Sequence, residues 1–381
     1  MILILEILRG LAALWVFLLH VKDDIFLLDN STSVYHFLSM GYLGVPMFFV
    51  ISGYVIAYSA ESHIAKNKSP FVFIKKRLWR IYPTLWFSII LIILLPLTFE
   101  LLSFIKSGSF SFPQDNIIEN AERYSIFEWI NVVLLTKIFW QQYDKLSMEF
   151  SGVNTVFWSL GIEVQFYFIV CIMMFFKTKF RFLTILLSIL SLLSILFSTP
   201  INKGLFLSFW LPFSFGIFLA YIIKSSYFQN LKLGGYYLIA LLVFYFAMLT
   251  TFFNFYTPQD MTKGTEFANI AFSFLFAIGL LVIYPLEKQL SVFQSTKIGL
   301  IVLWPFLILG AMSYTVYLLH TKLYVVATSF SKYIFQPYSL GFGITTIIIT
   351  LIFCFPIYYF VERRFMSSNL KSIHKHWNME L

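Results

Sequence analysis

The stretch RGLAALWVFLLH, Arg9 to His20, lies inside a first apolar segment running from about residue 3 to residue 21, and its reading decides the fold. A segment of that length and hydropathy reads as a membrane-spanning helix. Its arginine and histidine are eleven residues apart. At the helical repeat this is three full turns and about 20°, so both side chains project from one face, roughly 16 Å apart along the axis. A charge in hydrocarbon costs at least about 3 kcal/mol, and such residues face a bundle interior or a wet cavity. The pair therefore reads as a functional site.

The rest of the chain agrees with a membrane fold. Of its 381 residues 59% are hydrophobic and only 12% charged, with 47 Phe, a profile that excludes a soluble globular protein. Apolar segments occur at about 3–21, 40–60, 83–105, 155–176, 182–199, 204–223, 233–252, 266–286, 298–320 and 340–361. The expected fold is all-α and polytopic, with about ten transmembrane helices. Sorting Lys and Arg by connection puts seventeen on the side of both termini and of the loop ESHIAKNKSPFVFIKKRLWR, against nine on the other. The positive-inside rule then makes both termini cytoplasmic. The net charge of +9 points to anionic lipid headgroups or a phosphorylated cytoplasmic ligand, and not to nucleic acid.

The first segment has no basic n-region and no small-residue cleavage site, so it is expected to be retained rather than cleaved as a signal peptide. Cys171 and Cys354 both fall within spans and offer neither a disulfide framework nor a metal motif, and no metal is expected. The longest connection, 106–154, is expected on the outer side. Within it IFEWINVVLLTKIFW (126–140) is too short to span and is interrupted by Glu128, Asn131 and Lys137, which predicts an interfacial or re-entrant helix.

Further polar residues lie in or beside the spans. Glu6 precedes Arg9 by three residues, where an ion pair would lower the cost of both charges. Arg77 and Arg80 stand three apart in FIKKRLWRIYP; if helical they share a face at the membrane surface, as a grip for phosphates or as an anchor to anionic lipid. Glu163, in VFWSLGIEVQFYFIV, has no cation three or four residues on and is expected to find its partner on another helix, with His20 and Arg9 as candidates. Trp158 and the later SYTVYLLH, with Tyr314, Tyr317 and His320, could line a substrate site, although aromatic and histidine side chains are also ordinary at a membrane boundary.

In order along the chain, Glu6-Arg9-Gly10-His20, GVPMFFVISGYVI (44–56), KKRLWRIYP (75–83), WSLGIEVQFY (158–167), SYTVYLLH (313–320) and VERRF (361–365) resemble the acyltransferase-3 family of bacterial integral membrane acyltransferases. Two positions depart from the family pattern, Pro46 where a polar residue is frequent and Arg364 where proline is frequent. The resemblance covers the whole chain, and implies one acyltransferase-3-like membrane domain over 1–365 with a cytoplasmic tail at 366–381. It implies transfer of an acyl group, by default acetyl from acetyl-CoA as co-substrate, to a hydroxyl of a cell-envelope polysaccharide, lipopolysaccharide or lipid-linked glycan. It places the protein in the bacterial inner membrane. The family's essential arginine and histidine fall on Arg9 and His20, and its cytoplasmic arginine motif on Arg77 and Arg80. Many members carry a fused periplasmic domain, so a partner for onward transfer would here be a separate periplasmic protein.

On this reading Arg77 and Arg80 hold the CoA phosphates, Arg9 lies along the path of the pantetheine arm, and the thioester meets His20. His20 serves either as general base on a sugar hydroxyl or as a nucleophile that takes the acyl group covalently. Glu163 orients or charge-stabilises it, and Trp158, Tyr314, Tyr317 and His320 bind the acceptor. Two rivals are a proton-coupled transporter or flippase using Arg9, Glu163 and His20 as a relay, and a glycan-assembly scaffold without catalysis.

Overall fold

The computed structural model describes residues 3–107, 124–140, 146–197, 204–229, 235–255 and 261–366, and no strand occurs among them. Residues 108–123 and 141–145 of the predicted outer loop, and the predicted tail beyond Met366, lie outside the described residues. In chain order the α-helices are α1 (Leu3–Ile25), α2 (Ser33–Ser39), α3 (Gly44–Ala65), α4 (Pro70–Ser107), α5 (Ile126–Val133), α6 (Phe157–Phe175), α7 (Phe180–Leu196), α8 (Trp210–Lys224), α9 (Ser226–Gln229), α10 (Gly235–Phe255), α11 (Met261–Ile283), α12 (Leu286–Gln294), α13 (Lys297–Ala311), α14 (Ser313–Ser331) and α15 (Leu340–Phe360).

By length and hydropathy seven of the described helices can cross a membrane, or up to nine if each of two bent pairs is one span. The ten segments marked in the sequence all fall on helices, but not all are straight spans. Segment 298–320 is broken at Met312 into α13 and α14, and Phe267–Ile283 turns through 65° into α12. Ile239–Phe253 is apolar but shorter than a usual span. The chain is thus a multi-pass membrane protein. Helix α4 differs from expectation in another way: it begins at Pro70, well before the predicted span at 83–105. Pro70 suits a first helical position, Ser69 caps it through the Phe71 N–H (3.3 Å), and Lys, Arg and Leu in KKRLWR are good helix formers. Pro83 is carried inside the helix.

The chain divides into two compact units. Unit 1 comprises Met1–Phe73, Ile169–Thr199 and Leu207–Ser313; unit 2 comprises Ile74–Phe168, Pro200–Phe206 and Tyr314–Leu381. In unit 1 the helices meet at glycines. A Cβ added to Gly53 of α3 would run into the Phe213 carbonyl of α8, and one added to Gly216 of α8 into the Val50 carbonyl of α3. Likewise a Cβ on Gly10 of α1 would stand 2.6 Å from the Gly310 nitrogen of α13. Lipid tails are as apolar as Leu, so burial alone does not bring such helices together; close main-chain approach gains the van der Waals contact that does. Around these crossings Leu5, Ala12, Leu43, Val50, Phe272 and Leu280 form a buried core. The start of α1 is held by Glu287 of α12, whose two carboxylate oxygens accept from the Leu3 and Ile4 N–H groups at 2.9 and 3.1 Å. These are orphan donors of a helix N-terminus, where a carboxylate is favoured by the helix dipole as well.

Unit 2 contains most of α4, α5, the first part of α6, α14 and α15. The predicted interfacial helix at 126–140 is two pieces, α5 and a 3-10 turn at Lys137–Trp140, separated by Leu135 in the left-handed conformation (φ 60°). Polar side chains compensate for the break. Tyr82 and Trp86 of α4 donate to the Leu134 and Val133 carbonyls at 2.9 and 3.1 Å, satisfying acceptors that the end of α5 leaves open. Asn131 accepts from the Thr136 hydroxyl (2.6 Å) and the Trp140 indole (3.1 Å). At the other end Ser125 and Glu128 form a capping box, and Lys137 reaches Glu128 at 3.0 Å. The turn packs on α6 where Gly161 leaves room: a Cβ there would stand 2.8 Å from the Leu135 carbonyl.

Candidate functional site

The site residues expected from sequence fall into both units. In unit 1, α1 carries Glu6, Arg9 and His20. Glu6 is buried, and Arg9 meets it at 3.5 Å, the i,i+3 pair anticipated from spacing. Gly310 allows this arrangement, because α13 crosses directly over the Glu6 main chain. Towards the other end of α1, His20 is exposed. Trp15, between them in sequence, is fixed by a hydrogen bond from its indole to the Phe37 carbonyl of α2 (2.8 Å) and by stacking on the Phe37 ring at 5.0 Å. Beyond His20, Lys22 pairs with Asp23 and lies over the Tyr35 ring at 4.1 Å. The His20 end of α1 is therefore surrounded by aromatic and charged groups that hold α2 against it.

In unit 2, α6 presents Ser159, Glu163 and Tyr167 four residues apart, one stripe about 12 Å long. Glu163 accepts from the Tyr167 hydroxyl at 2.7 Å. One partner of Glu163 thus lies on its own helix, a tyrosine that reads in the sequence as an ordinary interfacial aromatic. Arg77 stacks over the Tyr167 ring at 5.9 Å. At the other end of the stripe Ser159 and Tyr317 share a hydroxyl–hydroxyl bond of 2.6 Å, and Tyr317 also donates to the Val156 carbonyl (3.1 Å). Trp158, beside Ser159, is half-buried.

Arg80 has a different environment from Arg77. Its Nη2 lies 2.8 Å from Oε1 of Glu362, which follows α15 and is fully buried. The other oxygen of Glu362 accepts from the Thr315 N–H (3.1 Å) and hydroxyl (2.7 Å) in the first turn of α14. Tyr314 lies 5.9 Å from the Arg80 guanidinium, and its own hydroxyl donates to the Ile81 carbonyl at 2.9 Å. Four side chains thus tie α4, α14 and the end of α15 into one circuit.

His320, expected near a membrane boundary, is fully buried, with Nδ1 3.0 Å from the Val316 carbonyl. Next to it Asn154, also buried, donates to the Leu318 carbonyl (2.7 Å) and accepts from Thr321 (3.0 Å). Four residues of this network were not singled out from sequence. Glu362 stood in the VERRF motif but carried no assigned role, and Ser159, Thr315 and Asn154 carry no charge to flag them. A carboxylate directly after an apolar span, followed by two arginines in sequence, was the available signal. No group of three or more His, Cys, Asp or Glu side chains that could hold a metal is present among the described residues.

Comparison with known proteins adds an independent line. A family profile described as an acyltransferase domain (Acyl_transf_3) matches residues 2–359. The O-acetyltransferase OatA of Staphylococcus aureus is 28% identical over 332 residues, 78% of this chain and 49% of OatA. Acyltransferase MdmB of Streptomyces mycarofaciens is 28% identical over 164 residues, 42% of this chain and 36% of MdmB. The chain therefore spans half or less of the length of these curated relatives. No solved structure matches it.

Proposed function

Because this chain belongs to the acyltransferase-3 family, we propose that it is a membrane O-acyltransferase, moving an acetyl group from cytoplasmic acetyl-CoA to a hydroxyl of a cell-envelope or lipid-linked glycan. The observation that carries this reading is the division of labour along α1, where Arg9 is anchored to buried Glu6 while His20, eleven residues on, is exposed. The guanidinium N–H donors of Arg9 near one end of the helix suit the amide carbonyls of a pantetheine arm, and an accessible imidazole near the other suits proton transfer at neutral pH. The termini and Arg77 face the cytoplasm of a bacterial inner membrane in this scheme, as the charge distribution of the connections favours.

In the transfer step the glycan hydroxyl oxygen forms a bond to the thioester carbonyl carbon, the carbon–sulfur bond breaks, and CoA leaves as its thiolate. His20 accepts the hydroxyl proton, which then passes to the thiolate. The alternative route has the imidazole take the acetyl group first and the glycan hydroxyl second, with the same overall balance. Arg77 holds the nucleotide phosphates. Glu163 sets the charge beside the path, and the carbohydrate acceptor approaches from the outer side. OatA is named an O-acetyltransferase, which supports acetyl as the transferred group.

The test is transfer of label from radiolabelled acetyl-CoA to envelope glycan by the purified protein in lipid vesicles. His20→Ala is expected to lower the rate by at least about a hundredfold, the ordinary worth of a general acid–base group. Transfer at the parent rate by that variant overturns the assignment of His20. Uptake of glycan precursor into vesicles without modification would establish a transporter instead.

A further inference from the structure

The sequence treats Arg77 and Arg80 as an equivalent pair; the structure ties Arg80 to a buried carboxylate. Arg80 Nη2 is engaged by Glu362 at 2.8 Å, Nη1 is buried, and Glu362 has no exposed surface. A phosphate that drew Arg80 away would leave a carboxylate stripped of its counter-charge in a buried site, and would bring a second anion close to it. The carboxylate is also the acceptor for the first turn of α14, through the Thr315 N–H at 3.1 Å and hydroxyl at 2.7 Å. A helix N-terminus that starts at a break within the chain needs such an acceptor. Removing Glu362 would therefore leave three donors without it.

We propose that Glu362 is a positioning residue of the acyl-CoA site: it makes Arg80 a strut between α4 and α14, which fixes the turn of α4 carrying Arg77, so that phosphate binding rests on Arg77 and not on Arg80. The proposal deepens the acyl-CoA reading above and rests on it. Arg77 and Arg80 are one helical turn apart, so a tilt of α4 after loss of the strut moves Arg77 relative to the Tyr167 ring that it covers. The Tyr314 hydroxyl bond to the Ile81 carbonyl, 2.9 Å, braces the same turn from α14.

The experiment measures binding of acetyl-CoA and of S-acetylpantetheine, which lacks the nucleotide phosphates, to the full-length protein in lipid nanodiscs. The variants are Arg77→Ala and the double variant Arg80→Met with Glu362→Gln, which removes both charges of the buried pair and keeps an acceptor for Thr315. Arg80→Lys, which can still pair with Glu362, is the conservative control and is expected to stay closer to the parent than the double variant. Arg77→Ala is expected to lose most of the preference for acetyl-CoA over acetylpantetheine, about tenfold or more. The double variant is expected to lose part of the same preference, through the displaced Arg77, and to bind acetylpantetheine about as the parent does. A further loss of preference when Arg80→Met and Glu362→Gln are added to Arg77→Ala makes Arg80 a phosphate ligand in its own right and overturns the proposal, because an effect that passes through Arg77 alone adds nothing once Arg77 is gone. Parent-like affinity for both compounds in the double variant makes the pair merely structural and also overturns it. If the parent protein binds no acetyl-CoA, the acyl-CoA reading falls together with the proposal, whereas parent binding with an unchanged Arg77→Ala protein sinks the proposal alone.

Discussion

In unit 1 the helices meet main chain to main chain: Gly53 against Phe213, Gly216 against Val50, Gly10 against Gly310. In unit 2 Gly161 meets the Leu135 carbonyl in the same way, but most of the ties described are made by side chains that reach main-chain carbonyls, as Tyr82, Trp86, Asn154, Tyr314 and Tyr317 all do. The difference is one of tolerance. A glycine crossing has no room for any side chain, so it fails all at once. A hydrogen bond from a tyrosine or asparagine can be lost singly, leaving one acceptor unpaired and the packing nearly intact. Unit 1 thus holds the Arg9–His20 helix in a stiff, closely packed frame, while unit 2 is an assembly of separately adjustable polar ties around Glu163 and Glu362.

The largest effect should come from breaking a glycine crossing. Gly216→Leu places its Cβ where the Val50 carbonyl stands, and main chain rather than a rotamer must move. The cost should exceed about 3 kcal/mol, the upper part of the usual overpacking range, and the yield of folded protein in the membrane should collapse. Size-exclusion chromatography and thermal melting in detergent measure this. A Gly216→Leu protein that folds with the parent's melting temperature would end the distinction between the units.

An intermediate effect is expected in unit 2. Tyr317→Phe removes the 2.6 Å bond to Ser159 and the bond to the Val156 carbonyl while keeping the ring. About 1–3 kcal/mol should be lost, since the remaining partners are buried. Ser159→Ala combined with it should cost less than the two changes summed, because both remove one shared bond. Strict additivity in that double-mutant cycle would show that the hydroxyl pair contributes nothing as a pair.

The same contrast explains what could be read from the sequence. Hydropathy located the helices, because spanning segments need only length and apolar character, and the Glu6–Arg9 pair followed from helical spacing alone. The break at Met312 was not legible: Gly310, two residues before it, serves the crossing with α1, and the first turn of α14 depends on an acceptor, Glu362, that lies 47 residues after Thr315. The start of α4 at Pro70 was hidden by its charge, which reads as a loop although its residues favour helix. Among the site residues, Glu163 stood out as a carboxylate in a span. Its hydroxyl partner Tyr167 and the Arg80–Glu362 tie did not, because each depends on which uncharged or distant side chain the fold delivers.

The smallest effect, and the one most sensitive to solution conditions, belongs to the 124–140 element. Glu128 accepts from the Ser125 N–H and from Lys137, and these bonds hold its carboxyl below the ordinary value of 4.5. The folded state therefore takes up the proton less readily than the unfolded state. The contribution of Glu128 to stability is complete above 4.5 and is lost as the pH falls from there through the folded-state value. Lys137 is itself buried and lies 4.1 Å from the Tyr124 ring, so protonation of Glu128 removes the carboxylate paired with a cation that has little access to water. Because Glu128 remains a third exposed, the loss at neutral pH in Glu128→Gln should be below about 1 kcal/mol. Melting curves of parent and variant should differ at about pH 6 and converge once the pH has fallen below the folded-state value. A difference that persists unchanged to the acid end would mean that the capping hydrogen bonds, and not the ionised carboxylate, carry the contribution.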